Sequence, residues 1–251
     1  MKKAIVFAVS VVFAMMFSIV ARADLLTGHV AMTTWSTITN GSAVNSVYVA
    51  PMYVTNHTTE QADFLLFCGD FTVSTSTAFN NGAGQEYNAF SLDSPSVSFY
   101  SDVQKSRIND LFGYVYSSAF DLDGNILNGT YAQAIQLSIW SILHEETDNY
   151  DILDGSFRLT GNYTIDVVNV TNLLLSAVLG DISWSSIGMD EFIDYGLTVY
   201  VADGGTNVSQ TFISVTGPSS LTPEPATLLI FGLGLAGLGL ARRSTKNNTA
   251  K

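Results

Sequence analysis

The chain has 251 residues, a formal net charge of −12 and a single cysteine. So acidic a surface repels nucleic acid and anionic lipid, which excludes a nucleic-acid-binding function carried by charge. One cysteine also excludes a disulfide within the chain.

The N-terminus has the three parts of a secretory signal peptide. Two lysines follow the first methionine, residues 4–20 form an apolar run, and Ala21-Arg22-Ala23 has the small-x-small pattern of a cleavage site. The alternative is an uncut membrane helix, but this run is short for a span of about 20 residues. We therefore predict a signal peptide at residues 1–23, cut before Asp24.

Residues 24–221 read as one exported domain, since no Pro- or Gly-rich linker divides them. They hold 21 of the 22 acidic residues of the chain, against three basic ones, Lys105, Arg107 and Arg158. Segments rich in Val, Thr, Tyr and Phe between polar turns predict strands at residues 31–39, 46–54 and 64–74.

Helices are predicted in the middle of this domain. The first starts at an N-cap, Ser101, and runs to about Ala119; the second runs from about Thr130 to His144. Residues 163–179 indicate either a third helix or a strand–helix pair. Strands at residues 196–202 and 207–215 then form a hairpin around Asp203-Gly204-Gly205. This order predicts an α+β domain, an antiparallel β-sandwich or barrel with inserted helices.

Common catalytic and metal-binding patterns find no support in the sequence. Asp121, Asp123 and Asn125 have the oxygen spacing of a calcium loop, but Ala132 stands where such a loop needs an acid, which favours a solvated turn. The histidines follow no zinc spacing, and no Gly-x-Ser-x-Gly elbow occurs. We predict no metal, no cofactor and no enzymatic activity. The tryptophans and tyrosines could line a sugar-binding face, although such residues more often form a core.

Two segments are unusual for the polar or reactive residue that they hold. On the second predicted helix, Gln136 falls inside the apolar arc, while Leu137 and the serines face away. A buried carboxamide costs about 1–3 kcal/mol when unpartnered, so we expect it to be satisfied, in the simplest case by a main-chain group. Cys68 ends an apolar strand, where it could be an inert buried residue.

Together these segments resemble the bacterial surface thioester domains. The matching residues are Phe67-Cys68-Gly69-Asp70 and Gln136-Leu137-Ser138-Ile139-Trp140. The resemblance implies a thioester between the Cys68 sulfur and the Gln136 side-chain carbonyl, with Asp70 orienting a reacting group and Trp140 as a packing wall. Gly69 departs from the family, which usually has an aliphatic residue there, and Ser138 replaces its alanine; we expect Gly69 to loosen the strand.

The C-terminus, residues 222–251, reads as a sorting segment. Pro223, Glu224 and Pro225 precede an apolar, glycine-containing run at residues 226–241, and Arg242 and Arg243 follow at once. The run is a short transmembrane helix, with the basic tail left in the cytoplasm. This order resembles the PEP-CTERM signal of Gram-negative bacteria that make extracellular polysaccharide. The resemblance implies cleavage near the triplet by an exosortase, a membrane transpeptidase.

The sequence thus predicts an exported, non-enzymatic protein, held transiently at the inner membrane and then placed at the cell surface or in the extracellular matrix. Its thioester would couple to amine or hydroxyl groups, either of a partner surface or of extracellular polysaccharide. The alternative is a non-reactive structural or carbohydrate-binding matrix protein with a reduced, buried Cys68. An extracellular hydrolase is a third possibility, without a supporting motif.

Overall fold

The computed structural model describes residues 23–30, 35–40, 43–59, 61–70, 84–121, 123–146, 149–203 and 210–218. All of them belong to the first of two compact units, Met1–Pro218, and the second unit is Ser219–Lys251. Within the described ranges no helix has the length and apolar character to cross a membrane. The predicted signal peptide up to residue 22 and the predicted span at residues 226–241 lie outside them.

Nine strands and three α-helices make up the described part of the chain. In chain order they are β1 (Asp24–Val30), β2 (Trp35–Asn40), β3 (Ala43–Tyr48), β4 (Met52–Asn56), β5 (Gln61–Cys68), β6 (Gln85–Ser91), α1 (Asp102–Ala119), α2 (Gly129–His144), β7 (Phe157–Gly161), α3 (Ile165–Leu179), β8 (Tyr195–Ala202) and β9 (Phe212–Pro218). Six strands close an antiparallel barrel in the order β1-β4-β5-β9-β8-β6, and a separate three-stranded sheet has the order β3-β2-β7. The predicted α+β class with an antiparallel barrel and inserted helices is confirmed.

The pleat of the barrel strands divides the buried side chains into two cores. Side chains alternate between the faces of a strand, and along β5 Leu66 and Cys68 join one cluster, while Leu65 and Phe67 join the other. The cluster that contains Leu66 and Cys68 has residues from all six barrel strands, and we call it the inner core. Its barrel members include Leu26, Val54, Leu66, Tyr87, Tyr200 and Phe212. The cluster that contains Leu65 and Phe67 is called the outer core. In it, barrel residues such as Phe67, Val199 and Ile213 pack with helix residues such as Phe112, Ile135 and Leu175.

Each helix starts at a residue that caps its free main-chain N–H groups. Ser101 accepts from the Gln104 main-chain N–H, and the Gln104 side chain in turn accepts from the Ser101 N–H, which forms a capping box. Asn128 caps α2, and Thr164 caps α3. The predicted N-cap at Ser101 is therefore confirmed, and the segment at residues 163–179 is a helix, preceded by the separate strand β7.

Several strand predictions are corrected by the pairing of the strands. The single strand predicted at residues 46–54 is wrong, because β3 ends at Tyr48 and β4 begins at Met52. Pro51 lies between them, and proline has no N–H to donate to a sheet. The hairpin of β8 and β9 is confirmed, although β9 starts later than predicted. Strands β1, β6 and β7 were not predicted, and residues 31–34 and 71–74 lie outside the described part.

Candidate functional site

Cys68 is the last residue of β5, and the strand is held firmly up to that point. Strand β9 pairs with β5 through Cys68 and Phe212. The preceding residue, Phe67, makes edge contacts with Phe112 of α1, at 5.0 Å between ring centroids, and with Phe120. Burial raises the pKa of the Cys68 thiol to about 12, and the Asp70 carboxylate adds to the shift. The thiol is therefore protonated at neutral pH.

Helix α2 runs between the two cores and is buried on nearly every side. Ten of its sixteen residues are buried, among them Gln136, Leu137, Ser138 and Ser141. Leu137 and Trp140 pack in the inner core, whereas Ile135 and Ile139 pack in the outer core. The expectation that Leu137 and the serines face away from the packed side is thus wrong. A single apolar arc does not describe a helix that packs against neighbours on both sides.

The C-terminal end of α2 is fixed by two polar side chains. Gln104 of α1 donates from Nε2 to the main-chain carbonyls of Ile142 and Leu143, at 3.3 and 3.2 Å. The Glu145 carboxylate accepts from the main-chain N–H groups of Ser156 and Phe157 and from the Ser156 hydroxyl. The bonds from Gln104 satisfy carbonyls that a helix end leaves open. Together with the bonds to Glu145 they hold the end of α2 against α1 and the start of β7.

Gln136 and Cys68 are joined by two hydrogen bonds in the interior. The Cys68 main-chain N–H donates to Gln136 Oε1 at 2.9 Å, and Gln136 Nε2 donates to the Cys68 carbonyl at 2.8 Å. Gln136 is fully buried, and the two bonds satisfy its carboxamide with main-chain partners. The two residues that the sequence singled out separately are thus direct neighbours, although 68 positions separate them.

Gly69 extends the contacts of the strand end by one residue, and the expected loosening of the strand stays a prediction. Gly69 is buried and donates its N–H to the Thr211 carbonyl at 2.8 Å. A Cβ at this position would overlap the Tyr100 hydroxyl and would lie 2.7 Å from Thr211 Oγ1. The two hydroxyl oxygens lie 3.2 Å apart in a buried hydrogen bond. Only a residue without a side chain lets this pair pack onto the main chain beside Cys68.

A pocket of about 210 Å³ borders Gly69. It is lined by Gly69, Asp70, Phe99, Tyr100, Gln104, Leu143, His144 and Thr211. His144 Nε2 lies 3.8 Å from Asp70 Oδ1, and His144 also makes a hydrogen bond with the Gly69 main chain. Burial lowers the pKa of His144, although the Asp70 carboxylate opposes the shift. His144 is therefore a neutral imidazole at neutral pH, and Tyr100, whose pKa burial raises to about 12, is a neutral phenol.

Among the other predicted site residues, Trp140 packs at the base of the site and Asp70 at its rim. Trp140 is almost fully buried, with its ring 6.5 Å from that of Phe157. Asp70, in contrast, keeps a partly exposed side chain in contact with His144. The predicted sorting residues Pro223, Glu224, Pro225, Arg242 and Arg243 lie outside the described residues.

The acidic loop after α1 uses its oxygens within the loop. Asp121 Oδ1 accepts from the main-chain N–H groups of Asp123 and Asn125, at 3.0 and 2.8 Å. The Asn125 side chain donates to the other oxygen and lowers the pKa of the Asp121 carboxyl. In the part of the chain that the structure describes, no group of three potential metal-ligating side chains occurs.

Tyr100, His144 and Thr211 are among the pocket residues that were not predicted as site residues. No sequence signal pointed to His144, because the helical periodicity predicted that it faces away from the arc that holds Gln136. Two turns, about 12 Å of helix, separate these two residues, and it is the fold that places His144 Nε2 3.8 Å from Asp70 Oδ1. Tyr100 and Thr211 gave no sequence signal, because only the fold brings them together.

Comparisons with known proteins identify the C-terminal segment. Residues 221–243 match the model of the PEP-CTERM protein-sorting motif, as the sequence predicted. No curated protein gives a match in sequence. With its sorting motif, the chain is an exported surface protein.

Solved structures similar to this chain are domains of bacterial surface proteins. One is the N-terminal thioester domain of a surface protein from Clostridium perfringens, with 15% identity over 66% of this chain and 89% of that one and a TM-score of 0.42. Another is the N-terminal thioester domain of the fibronectin-binding protein SfbI from Streptococcus pyogenes, with 13% identity, 72% and 91% coverage and a TM-score of 0.41. The N-terminal domain of the Streptococcus pyogenes pilus tip adhesin Cpa has 9% identity, 79% and 95% coverage and a TM-score of 0.43.

Proposed function

We propose that Cys68 and Gln136 condense into an internal thioester, through which the exported chain attaches covalently to amine or hydroxyl groups on a surface. The observation that carries this proposal is the pair of hydrogen bonds between the Gln136 carboxamide and the Cys68 main chain. Those bonds hold the carboxamide carbon beside the residue whose sulfur would attack it. Such pre-positioning removes most of the entropic cost of joining two groups.

The condensation is balanced by the loss of one ammonia. Cys68 Sγ attacks the Gln136 carboxamide carbon, the carbon–nitrogen bond breaks, and the thiol proton leaves with the nitrogen as ammonia. Negative charge develops on Gln136 Oε1 during the attack, and the Cys68 main-chain N–H, 2.9 Å away, stabilises it. The Cys68 carbonyl, which accepts from Nε2, orients the departing nitrogen.

Burial then protects the bond from water. Cys68 and Gln136 are nearly inaccessible, and Trp140 and Leu137 pack beside the thiol in the inner core. The high pKa of the buried thiol also makes its thiolate a poor leaving group, which slows hydrolysis. A nucleophile that reaches the Gln136 carbonyl would form an amide or ester and release the Cys68 thiol. Each molecule reacts once, so the chain is a reagent for attachment and not an enzyme.

The sorting motif supplies the location for this chemistry. In the proposed sequence of events the signal peptide is removed before Asp24, and the chain is held at the inner membrane by residues 226–241. An exosortase then cuts near Pro223-Glu224-Pro225 and delivers the domain to the cell surface or the surrounding polysaccharide of a Gram-negative cell. The amine or hydroxyl groups that the thioester would react with are those of this cell surface or polysaccharide.

Loss of the C-terminus tests the sorting step. A tag placed after Lys251 should be missing from the extracellular protein when the host has the sorting enzyme, and an antibody against the tag measures this. Extracellular protein that still carries the tag would contradict processing. Arg242→Asp together with Arg243→Asp should impair retention before cleavage, because these charges keep the tail in the cytoplasm.

A second candidate is a non-reactive structural or carbohydrate-binding matrix protein with a reduced Cys68. One observation favours it: the two hydrogen bonds give both the oxygen and the nitrogen of the Gln136 carboxamide a main-chain partner, which is the ordinary arrangement of a buried glutamine. In that case the bonds serve stability alone, and the Cys68 thiol stays inert through burial.

Intact mass spectrometry of the exported protein separates the two candidates. The thioester predicts a mass lower than that of the processed sequence by one ammonia, a methylamine adduct at Gln136 and a Cys68 thiol that becomes alkylatable only after methylamine treatment. A full sequence mass with an unaltered Gln136 and a free Cys68 would disprove the thioester. A glutamate side chain at position 136 beside a free thiol would instead record a thioester that formed and then hydrolysed.

A further inference from the structure

We propose that a second pocket, between helix α3 and the loop that precedes β7, binds neutral polysaccharide without forming a covalent bond. The pocket has a volume of about 290 Å³, which suits a sugar ring. It is lined by Asn149, Tyr150, Asp151, Asn172, Leu175, Ser176, Leu179 and Asp181. Seven of these residues are exposed or half-buried, so the pocket is open to solvent and to a polymer chain. Neither Cys68 nor Gln136 lines it, and the assignment does not depend on the thioester.

The pocket offers both acceptors and donors of hydrogen bonds. Asp151 and Asp181 present carboxylates, which only accept, whereas the Asn149 and Asn172 amides and the Ser176 hydroxyl also donate. A metal ion or an ammonium ion would use the acceptors alone. A sugar hydroxyl donates and accepts, so a polyhydroxyl ligand is the one that uses the whole set.

Apolar surface completes the pocket. Leu175 and Leu179, both on α3, line it together with the ring of Tyr150. A sugar ring presents C–H groups as well as hydroxyls, and these groups pack on apolar side chains. A pocket that combines apolar walls with a few convergent polar groups is the usual form of a site for a small molecule.

Several lining side chains are held in place by the protein itself. Asp151 Oδ1 accepts from the Leu153 main-chain N–H at 2.9 Å and from the Asn172 side-chain amide at 3.2 Å. Arg107 of α1 donates to the Tyr150 hydroxyl at 2.7 Å, with its guanidinium carbon 5.2 Å from the ring centroid. Side chains that are already ordered lose little conformational entropy when a ligand binds. A weakly held ligand such as a sugar therefore keeps more of its binding free energy.

The charge of the pocket selects against anionic polymers. Asp151 and Asp181 are its acidic lining residues, and the Arg107 guanidinium beside it is already bonded to Tyr150. Residues 24–221 carry 21 acidic residues against three basic ones, so the surrounding surface also repels a polyanion. A neutral saccharide meets no such repulsion, and its hydroxyls donate to the carboxylates in hydrogen bonds strengthened by their charge.

Affinity gel electrophoresis tests the assignment on the exported protein and on its Cys68→Ala variant, which cannot couple covalently. Dextran, mannan and galactan are the neutral probes, and alginate is the anionic one. We expect at least one neutral polymer to slow the migration of both proteins equally, and alginate to leave it unchanged. Retardation of the wild type alone would overturn the proposal, because it would mean covalent capture through the thioester.

Two variants test the pocket itself. Asp151→Asn removes the charge but keeps an oxygen for the Leu153 N–H, and Asp181→Ala removes an exposed side chain. Each should weaken binding about tenfold, since hydrogen bonds to charged groups are the stronger ones. Asp93→Asn, at an exposed carboxylate in the turn after β6, is the matched control and should bind as the wild type does.

Three results would overturn the proposal. They are a migration indifferent to all three neutral polymers, binding that survives both pocket variants, and retardation by alginate alone. CaCl₂ is added separately, with the denaturation midpoint as readout. A midpoint that rises with calcium in the wild type but not in Asp181→Ala, without retardation by any polymer, would assign the pocket to a metal ion instead. The mass deficit of one ammonia reports the thioester independently of every one of these results.

Discussion

The two sides of Cys68 differ in almost every physical respect. On the barrel side Cys68 belongs to the apolar inner core, together with Trp140 and Leu137. On the other side, one residue further along the chain, a pocket holds Asp70 and His144. Apolar packing keeps water from the Cys68 thiol, whereas the pocket beside Gly69 carries polar and charged groups. The comparison teaches that one strand end borders two environments of opposite polarity.

The largest effects are expected from substitution of Cys68 and Gln136, the two residues of the proposed bond. Cys68→Ala and Gln136→Ala should each abolish both the ammonia deficit and the methylamine adduct completely, as read by intact mass. Gln136→Glu should also fail, because hydroxide is a poorer leaving group than ammonia. The fold should persist by circular dichroism, since Ile135 and Ile139 still pack in the outer core.

Gln133→Ala is the matched control for these variants. Gln133 is on the same helix, and its amide nitrogen donates to the Gly129 carbonyl within α2, at 3.2 Å. Both the mass deficit and the adduct should survive this change. An adduct that persists without Gln136 or Cys68 would show that the reactive group lies elsewhere.

Trp140→Ala should destabilise the packing of the inner core. Removal of a fully buried aromatic side chain should lower the free energy of unfolding by about 3–5 kcal/mol, measured by denaturant titration. Trp184→Ala is the control, since Trp184 is only partly buried and stacks on Tyr114 at 4.7 Å, outside the inner core. We expect a smaller loss there. Equal losses would mean that the base of the site is no more tightly packed than the surface of the domain.

Gly69→Ala tests the boundary between the two sides. The added methyl group would overlap the Tyr100 hydroxyl and crowd Thr211, so we expect a loss of about 1–3 kcal/mol in the free energy of unfolding. Combining it with Tyr100→Phe removes one of the overlapping atoms. The double variant should therefore recover more than about 0.5 kcal/mol relative to the sum of the single changes. Strict additivity would contradict the contact between Gly69 and Tyr100.

The smallest expected effect is the contribution of His144, in the pocket beside Gly69, to the pH dependence of stability. Burial lowers the folded-state pKa of His144 below its ordinary value of 6.5, so the unfolded chain binds more protons in the window between the two values. Stability should therefore rise with pH through that window and fall as the pH drops below about 6.5. His144→Gln should flatten this part of the pH profile, measured as denaturation midpoints. An unchanged slope would assign the dependence to another group.

Local patterns were sufficient for much of the fold. The capping box at Ser101 and the apolar periodicity that follows predicted α1 almost to the residue, because both act within a few positions of chain. Strand β6 was missed, since its sequence is largely polar and Tyr87 is its single fully buried side chain. Such a strand is stable because β1 and β8 pair with it on either side, and pairing partners are not visible in a local window.

By itself, the sequence determined the sorting motif and the first two helices and singled out the two residues of the proposed bond, because short contiguous patterns encode each of them. Only the tertiary structure decided that Gln136 bonds to the Cys68 main chain, and that Asp70, His144, Tyr100 and Thr211 share a pocket beside it. Tyr100 and Thr211 are 111 positions apart and meet only because β9 pairs with β5. Contacts between distant segments follow from how the barrel closes, and closure depends on the packing of all its strands at once.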